Sequence, residues 1–310
     1  MLGNSIFFSI SPAKSFVTVI KFALISSIGY LSLKTAKNIG EKVDNNSNKI
    51  IYALIVYNLI LIIEHVSYYP VTRYLRNLLG FNAQIAQPID RVTVLFTILS
   101  PYLYMNLYRK NFLYLLLIII TCISYILHPM NAATLAFFGG WLVILLYKII
   151  SDLFLKIYFF VLGIILLTCP WLMEYIIDSS VAQNILPKLQ ASWAHRIKIW
   201  QRSIELIKEK SLVGWGVNSS SVIDPIIPLH PHNFFLQIWL ELGLVGVNIV
   251  LLALVPIYYS ISRTSLKEAL LGSLTISIIF ASISFGIWQS WFLSAIWIGL
   301  ICNIYFSKKQ

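Results

Sequence analysis

The feature that most limits what this chain can fold into is its series of long apolar runs. FLYLLLIIITCISYIL (112–127), VLGIILLTCPWLM (161–173) and NIVLLALVPIYY (248–259) contain no charged residue. A bilayer core is crossed by roughly 20 apolar residues in a helix. Read on a ~19-residue window, the chain gives about nine candidate helices, at 15–33, 50–66, 91–108, 111–128, 131–148, 153–172, 236–259, 269–285 and 290–306. Composition agrees, because 11% of the 310 residues are charged where a soluble domain carries roughly 25%. The expectation is an all-α integral membrane protein, a multi-span helical bundle of about nine spans with one long, partly helical loop.

The net charge of +11 does not point to nucleic acid, because the basic residues cluster between apolar runs as the positive-inside bias requires. Lys34, Lys37, Lys42, Lys49, Arg109, Lys110, Lys148, Lys156, Arg263, Lys267, Lys308 and Lys309 mark one face as cytoplasmic. The opposite face receives 66–90, the HPMN turn at 128–131, the segment from 173 to about 235, and the turn near 286–289. That long segment carries Lys188, Arg196, Lys198, Arg202, Lys208 and Lys210. Long loops translocate largely regardless of charge, so a basic external surface invites an anionic partner. Cys122, Cys169 and Cys302 all lie in apolar runs without a CxxC or Cys/His cluster, which argues against a disulfide framework or a zinc site.

The chain divides into N-terminal membrane helices (1–172), a loop (173–235) and C-terminal membrane helices with a cytoplasmic tail (236–310), together one functional domain. Nine spans with a cytoplasmic tail put residue 1 outside, yet MLGNSIFFSISPAK has no cleavable-signal pattern. Either a span is miscounted or the chain lacks helices that a longer relative has, and the second is the expectation.

Within the loop, 192–210 reads as an amphipathic helix, with Trp193, Ile197, Trp200, Ile204 and Ile207 on one stripe and Ser192 as N-cap. Arg196 borders that stripe. Two readings fit it: a side chain that snorkels past the stripe, or a guanidinium aimed at phosphate oxygens, which it matches bidentately. Gly214 and Gly216 permit a tight turn after the helix.

HPHN (230–233) then opens an apolar helix. Two residues apart in an extended stretch, His230 and His232 point to opposite sides, which argues against a shared metal. His230 belongs to a proline-stiffened approach and has no chemical role in this reading. His232 precedes a helix whose free N–H groups attract anions, and a neutral imidazole there can take a proton from a hydroxyl. The other reading makes Asn233 the cap and His232 an interfacial spectator. Glu241 lies within the helix, where a carboxylate faces the interior and has a partner. It either pairs with a loop arginine or tunes the site. Gly243 and Gly246 would admit another helix closely.

From Arg196 to Gly246 the chain resembles the bacterial O-antigen ligase and polymerase superfamily of membrane glycosyltransferases, and the ligases most. The matching elements are Arg196 with Trp200, GWG at 214–216, HPHN, LQIWLELG and Gly246, in that order. DRVTVLFTILSP (90–101) is similar to an upstream element. The resemblance implies a metal-independent, inverting transfer of an undecaprenyl-pyrophosphate-linked O-antigen glycan onto lipid A-core, in lipopolysaccharide biosynthesis. It implies the inner membrane, with the active site facing the periplasm and no cofactor. By match His232 serves the acceptor hydroxyl and Arg196 the pyrophosphate. Asn233, Glu241, Gly214 and Gly216 support them. The sequence also lacks any DxD motif to hold a metal.

The chain departs from the family at 131–138, where NAATLAFF stands in place of a Ser-Arg-type pattern. Arg91 is the candidate to compensate as a second phosphate contact. Fewer spans than the family's dozen or so also leave room for a truncated or inactive member. The alternatives are a polymerase of the same superfamily, using lipid-linked acceptors, and a membrane transporter. The transporter ranks lower because the polar chemistry gathers in one loop rather than inside the spans.

Overall fold

A computed structural model of the protein describes residues 9–38, 47–79, 87–106, 112–128 and 130–307. Its described elements are all helical. In chain order they are α1 (Pro12–Asn38), α2 (Ser47–Val66), α3 (Pro70–Leu79), α4 (Gln87–Asn106), α5 (Phe112–Ile126), α6 (Asn131–Ile150) and α7 (Asp152–Asp178). Then follow α8 (Ser180–Ile185), a 3-10 turn (Leu186–Lys188), α9 (Ala191–Glu209), α10 (Ser220–Ile223), α11 (Phe234–Ser262), α12 (Lys267–Ile283) and α13 (Ser290–Ser307). Residues 1–8, Lys42, Arg109, Lys110, Pro129, Lys308 and Lys309 lie outside the described residues.

Each of the nine expected segments is a helix: α1, α2, α4 to α7 and α11 to α13. Four stretches, Pro12–Thr35, Asn131–Ile150, Asp152–Asp178 and Phe234–Ser262, are long and apolar enough to cross a membrane, and Ile51–Val66, Phe112–Ile126 and Ser290–Cys302 are shorter apolar helices. The segment 66–90, expected only to connect two spans, contains α3. The amphipathic helix expected at 192–210 runs from Ala191 to Glu209. Its N-cap is Gln190, with no side-chain hydrogen bond, so Ser192 does not cap it.

The chain forms two compact units. One comprises residues 1–31, 149–264 and 281–294, and the other 32–148, 265–280 and 295–310.

In the first unit α7 packs along α11, and α9 packs on both. Pro170 lies inside α7 and lacks the N–H that would bond the carbonyl four residues earlier. The Trp239 indole supplies the missing donor, Nε1–H to the Leu166 carbonyl at 2.8 Å. Trp171 meets Trp239 edge to face, with ring centroids 5.1 Å apart. The break that proline makes in one helix is thus closed by its neighbour.

In the second unit α2 packs on α5 around Ile51, Leu54, Ile55, Tyr104 and Leu117. Some of its buried polar side chains pair with one another. Ser124 Oγ donates to Asn58 Oδ1 at 2.7 Å, and the hydroxyls of Thr97 and Tyr125 lie 2.6 Å apart. Small residues bring α6 and α12 close: a Cβ on Gly140 would fall 2.5 Å from Ile276, and one on Gly272 2.6 Å from Ile144.

Candidate active site

The site grows from a break in α11. Gly243 has φ 60 and ψ −160 inside the helix, a backbone region that in practice only glycine adopts. The break releases carbonyls before it and N–H groups after it, and in lipid each unpaired group costs several kcal/mol, at about the scale of an apolar transfer. The turn after α9 takes up four of them. Trp215 and Gly216 donate to the carbonyls of Leu240 and Glu241 at 2.9 and 2.8 Å, while Leu244 and Val245 donate to those of Ser211 and Leu212 at 2.8 and 3.1 Å.

So close an approach has no room for side chains. A Cβ on Gly214 (φ +67) would lie 2.5 Å from the Glu241 backbone, and one on Gly216 (φ +106) 2.3 Å from Ser9 Oγ. The tight turn expected at GWG is present, and its counterpart is the broken helix. Gly243 meets this turn rather than the second helix that its spacing from Gly246 suggested.

Glu241 is fully buried within this stitching. One carboxylate oxygen accepts from the Asn218 N–H at 2.6 Å and from Trp288 Nε1. The other accepts from Ser220 Oγ and from Gln237 Nε2, the latter at 3.1 Å. The expected pairing with a loop arginine is therefore not what the structure shows: backbone, hydroxyl, amide and indole donors fill the carboxylate. The Gln237 side-chain oxygen in turn accepts from the Ile287 N–H at 3.2 Å. On the loop's other side, Asn218 Nδ2 donates to Thr18 Oγ1 at 2.9 Å and Ser15 Oγ to the Val217 carbonyl at 2.7 Å, which ties in α1.

At the mouth of α11, Asn233 is the N-cap, its Oδ1 accepting from the N–H groups of Phe235 and Leu236 at 3.0 and 3.1 Å. His232 precedes it with φ 52, a left-handed conformation that costs a non-glycine residue about 1–3 kcal/mol. That geometry overturns the expected opposition of the two histidines. Alternation needs extended backbone, and the positive φ instead turns the rings toward each other, with centroids 4.2 Å apart. The His232 N–H donates to His230 Nδ1 at 3.1 Å.

His232 Nδ1 lies 3.0 Å from the Ser284 carbonyl. A carbonyl only accepts, so Nδ1 carries the hydrogen and neutral His232 presents the Nε2 lone pair. Burial lowers its pKa from the ordinary imidazole value. The Ser284 hydrogen bond opposes that shift, and the charges of Arg196 and His195 add to it. The neutral imidazole is thereby favoured.

Arg196 reaches the same neighbourhood from α9. The buried residues of α9 are Ile199, Ser203, Ile204, Leu206 and Ile207, a face centred about 70° from the expected Trp193–Ile207 stripe at 100° per residue. The rotation moves Arg196 from the border of the stripe to the middle of the packed face. Trp200 fixes the helix there, Nε1–H donating to the Pro231 carbonyl at 2.8 Å, between the two histidines. The Arg196 guanidinium lies over the Trp193 ring at 4.9 Å. Its Nε is buried without a hydrogen-bond partner among the described residues, and burial lowers its pKa. Three other cations of the loop are engaged: Arg202 with Asp224 and Glu205, each at 2.7 Å, Lys208 with Glu174, and Lys210 over the Trp215 ring.

The first unit therefore brings together His232, Arg196, Asn233, Glu241, Gly214 and Gly216. Arg91, the fifth residue of α4, belongs to the second unit. The sequence reading missed Ser284, Trp288, Asn218 and Ser220, and gave His230 no role. The first four lie in no local pattern that announces them, because each acts through a partner distant in sequence; His230 stands in the HPHN motif itself, two residues from its partner His232.

A class of protein is defined at this point: an all-helical, multi-pass membrane protein with a histidine and an arginine gathered at the mouth of a broken helix. The model of the O-antigen ligase family matches residues 92–251, just over half the chain. A protein of Rickettsia prowazekii (strain Madrid E), named "Putative polysaccharide ligase", is 27% identical over 325 residues, covering 97% of this chain and 77% of its own. Similarly named proteins of Rickettsia typhi (strain ATCC VR-144 / Wilmington) and Rickettsia conorii (strain ATCC VR-613 / Malish 7) are 29% identical over 324 residues and 30% over 194. The first covers 97% of this chain and 77% of its own, the second 56% and 46%. No solved structure matches. The chain belongs to the O-antigen ligase family.

Proposed function

We propose that the protein is an inverting glycosyltransferase that moves an undecaprenyl-pyrophosphate-linked O-antigen glycan onto lipid A-core. The carrying observation is the tautomer of His232: with Nδ1–H held by Ser284, the free Nε2 lone pair is the base. It removes the proton from an acceptor hydroxyl, whose oxygen attacks the anomeric carbon. The new glycosidic bond forms on the face opposite the breaking bond to pyrophosphate, and undecaprenyl pyrophosphate leaves. Arg196 stabilises the charge that develops on the leaving group. Asn233, Glu241 and the glycines 214 and 216 hold the helix mouth in shape.

This reading draws on no metal or cofactor, since imidazole supplies the base and guanidinium the positive charge. In it, nine spans cross the bacterial inner membrane, and 173–235 is a periplasmic loop between two sets of spans within one functional domain. The test is deletion of the gene followed by complementation with His232→Ala, with lipopolysaccharide displayed on a gel. Removing a general base costs about 10²–10⁴ in rate, so capped lipopolysaccharide disappears and lipid-linked polymer accumulates. Full complementation by His232→Ala overturns the mechanism. Loss of chain extension in place of capping identifies the polymerase of the same superfamily.

A further inference from the structure

His230 carries more than a place in the approach to the membrane. It is 5% exposed, and three observations make it part of the support for His232. Its Nδ1 accepts the His232 N–H at 3.1 Å. Its ring lies against the His232 ring. Its other neighbour is Gly286, where a Cβ would fall 2.9 Å from His230 Cδ2. Gly286 lies two residues beyond Ser284, so one turn supports both rings: it gives a carbonyl to His232 and a bare backbone to His230.

We propose that His230 is a positioning residue for the transfer reaction, holding the left-handed backbone of His232 and thereby the direction of its Nε2 lone pair. The inference rests on the reading of His232 as the base. An acceptor at His230 Nδ1 requires that nitrogen to be unprotonated, which places the hydrogen on Nε2. Burial, with a smaller contribution from the neighbouring His232, lowers the pKa of His230 to about 3, so the acceptor persists at neutral pH. Without it, the His232 N–H loses its partner and the backbone is free to leave its costly conformation. A base displaced by about an ångström loses on the order of a hundredfold in rate, while substrate binding by other groups is retained.

Two substitutions separate the acceptor from the ring. His230→Phe keeps an aromatic ring between Gly286 and His232 but removes Nδ1. His230→Asn discards the ring but returns an oxygen close to the Nδ1 position. The full chain in detergent is assayed with an undecaprenyl-pyrophosphate-linked glycan as donor and lipid A-core as acceptor, with folding checked by thermal melting. The expected result is that His230→Phe lowers kcat about tenfold to a hundredfold, with KM for both substrates within about twofold, and that His230→Asn restores most of kcat. Wild-type kcat in His230→Phe overturns the proposal, and so does a folded His230→Asn as slow as His230→Phe. His232→Ala is measured alongside. If it turns over normally, the base reading itself falls. If it is inactive while His230→Phe is fully active, only the positioning role falls.

Discussion

The two halves of α11 belong to one helix but serve different surroundings. From Phe235 to Leu240 every residue is buried, and Glu241 and Gly243 continue the pattern. Beyond Gly246 and Val247 the helix turns outward: Leu252 is 72% exposed, Val255 52% and Tyr259 50%. The first half accepts hydrogen bonds from a loop, a turn and its own Gln237, whereas the second presents aliphatic side chains to its surroundings. In a membrane protein an exposed leucine is at home in lipid, so the difference separates a part shaped by specific partners from a part shaped by the bilayer. A substitution should be costly in the first half and nearly silent in the second.

The largest effect is expected at the boundary. Gly243→Ala places a Cβ 2.6 Å from the Leu212 carbonyl group and 2.7 Å from the Gly214 nitrogen, at φ +60. Neither backbone can move without breaking the hydrogen bonds that stitch the helix. A loss of about 3 kcal/mol or more is expected, visible as a sharp fall in Tm or in folded yield. A Gly243→Ala protein that melts like wild type breaks the comparison at its hinge.

Glu241→Gln comes next. It keeps the shape but sets an amide N–H2 against donors, leaving at least one buried donor unsatisfied at a cost of about 1–3 kcal/mol. Thermal melting reads it, and an unchanged Tm would show that the four donors do not depend on a carboxylate.

Arg196→Gln sharpens the comparison from outside α11 by acting on His232 at its mouth. The Arg196 charge disfavours the imidazolium, as does His195, while the neighbouring His230 stays neutral. Removing that charge raises the His232 pKa toward the ordinary value. The acidic limb of the pH–rate profile then moves to higher pH, and donor binding weakens by about tenfold to a hundredfold if a charge-assisted hydrogen bond to phosphate is lost. A limb that stays in place, or moves to lower pH, contradicts the assigned electrostatics. The smallest effect belongs to Leu252→Ala, within about 0.5 kcal/mol, and a larger one would reveal a packed partner for the second half.

The parts of this architecture that were legible in the sequence are those written in local chemistry. Apolar runs locate the nine helices, an asparagine before an apolar segment caps α11, and the two glycines of GWG close a turn. The rest depends on partners far away in the chain. Ser203 is buried on α9 because its hydroxyl satisfies itself on the Ile199 carbonyl at 2.7 Å. The apolar stripe took in the two half-buried tryptophans and passed over Ser203, which turned the expected face away from Arg196. Gly243 looked like a packing residue because a glycine inside an apolar run does not declare that its backbone leaves the helix. The histidine pair was misread for the same reason, since alternation assumes a φ that His232 does not have.

The break at Gly243 also has a consequence in length. From Leu244 to Ser262 the helix rises roughly 28 Å at 1.5 Å per residue, close to the ~30 Å hydrocarbon thickness of a bilayer. The second half is therefore long enough to reach across by itself. In the proposed reading, the ten residues before it form a post of roughly 15 Å, long enough to carry His232 clear of the hydrocarbon toward the depth where a lipid's phosphates meet water.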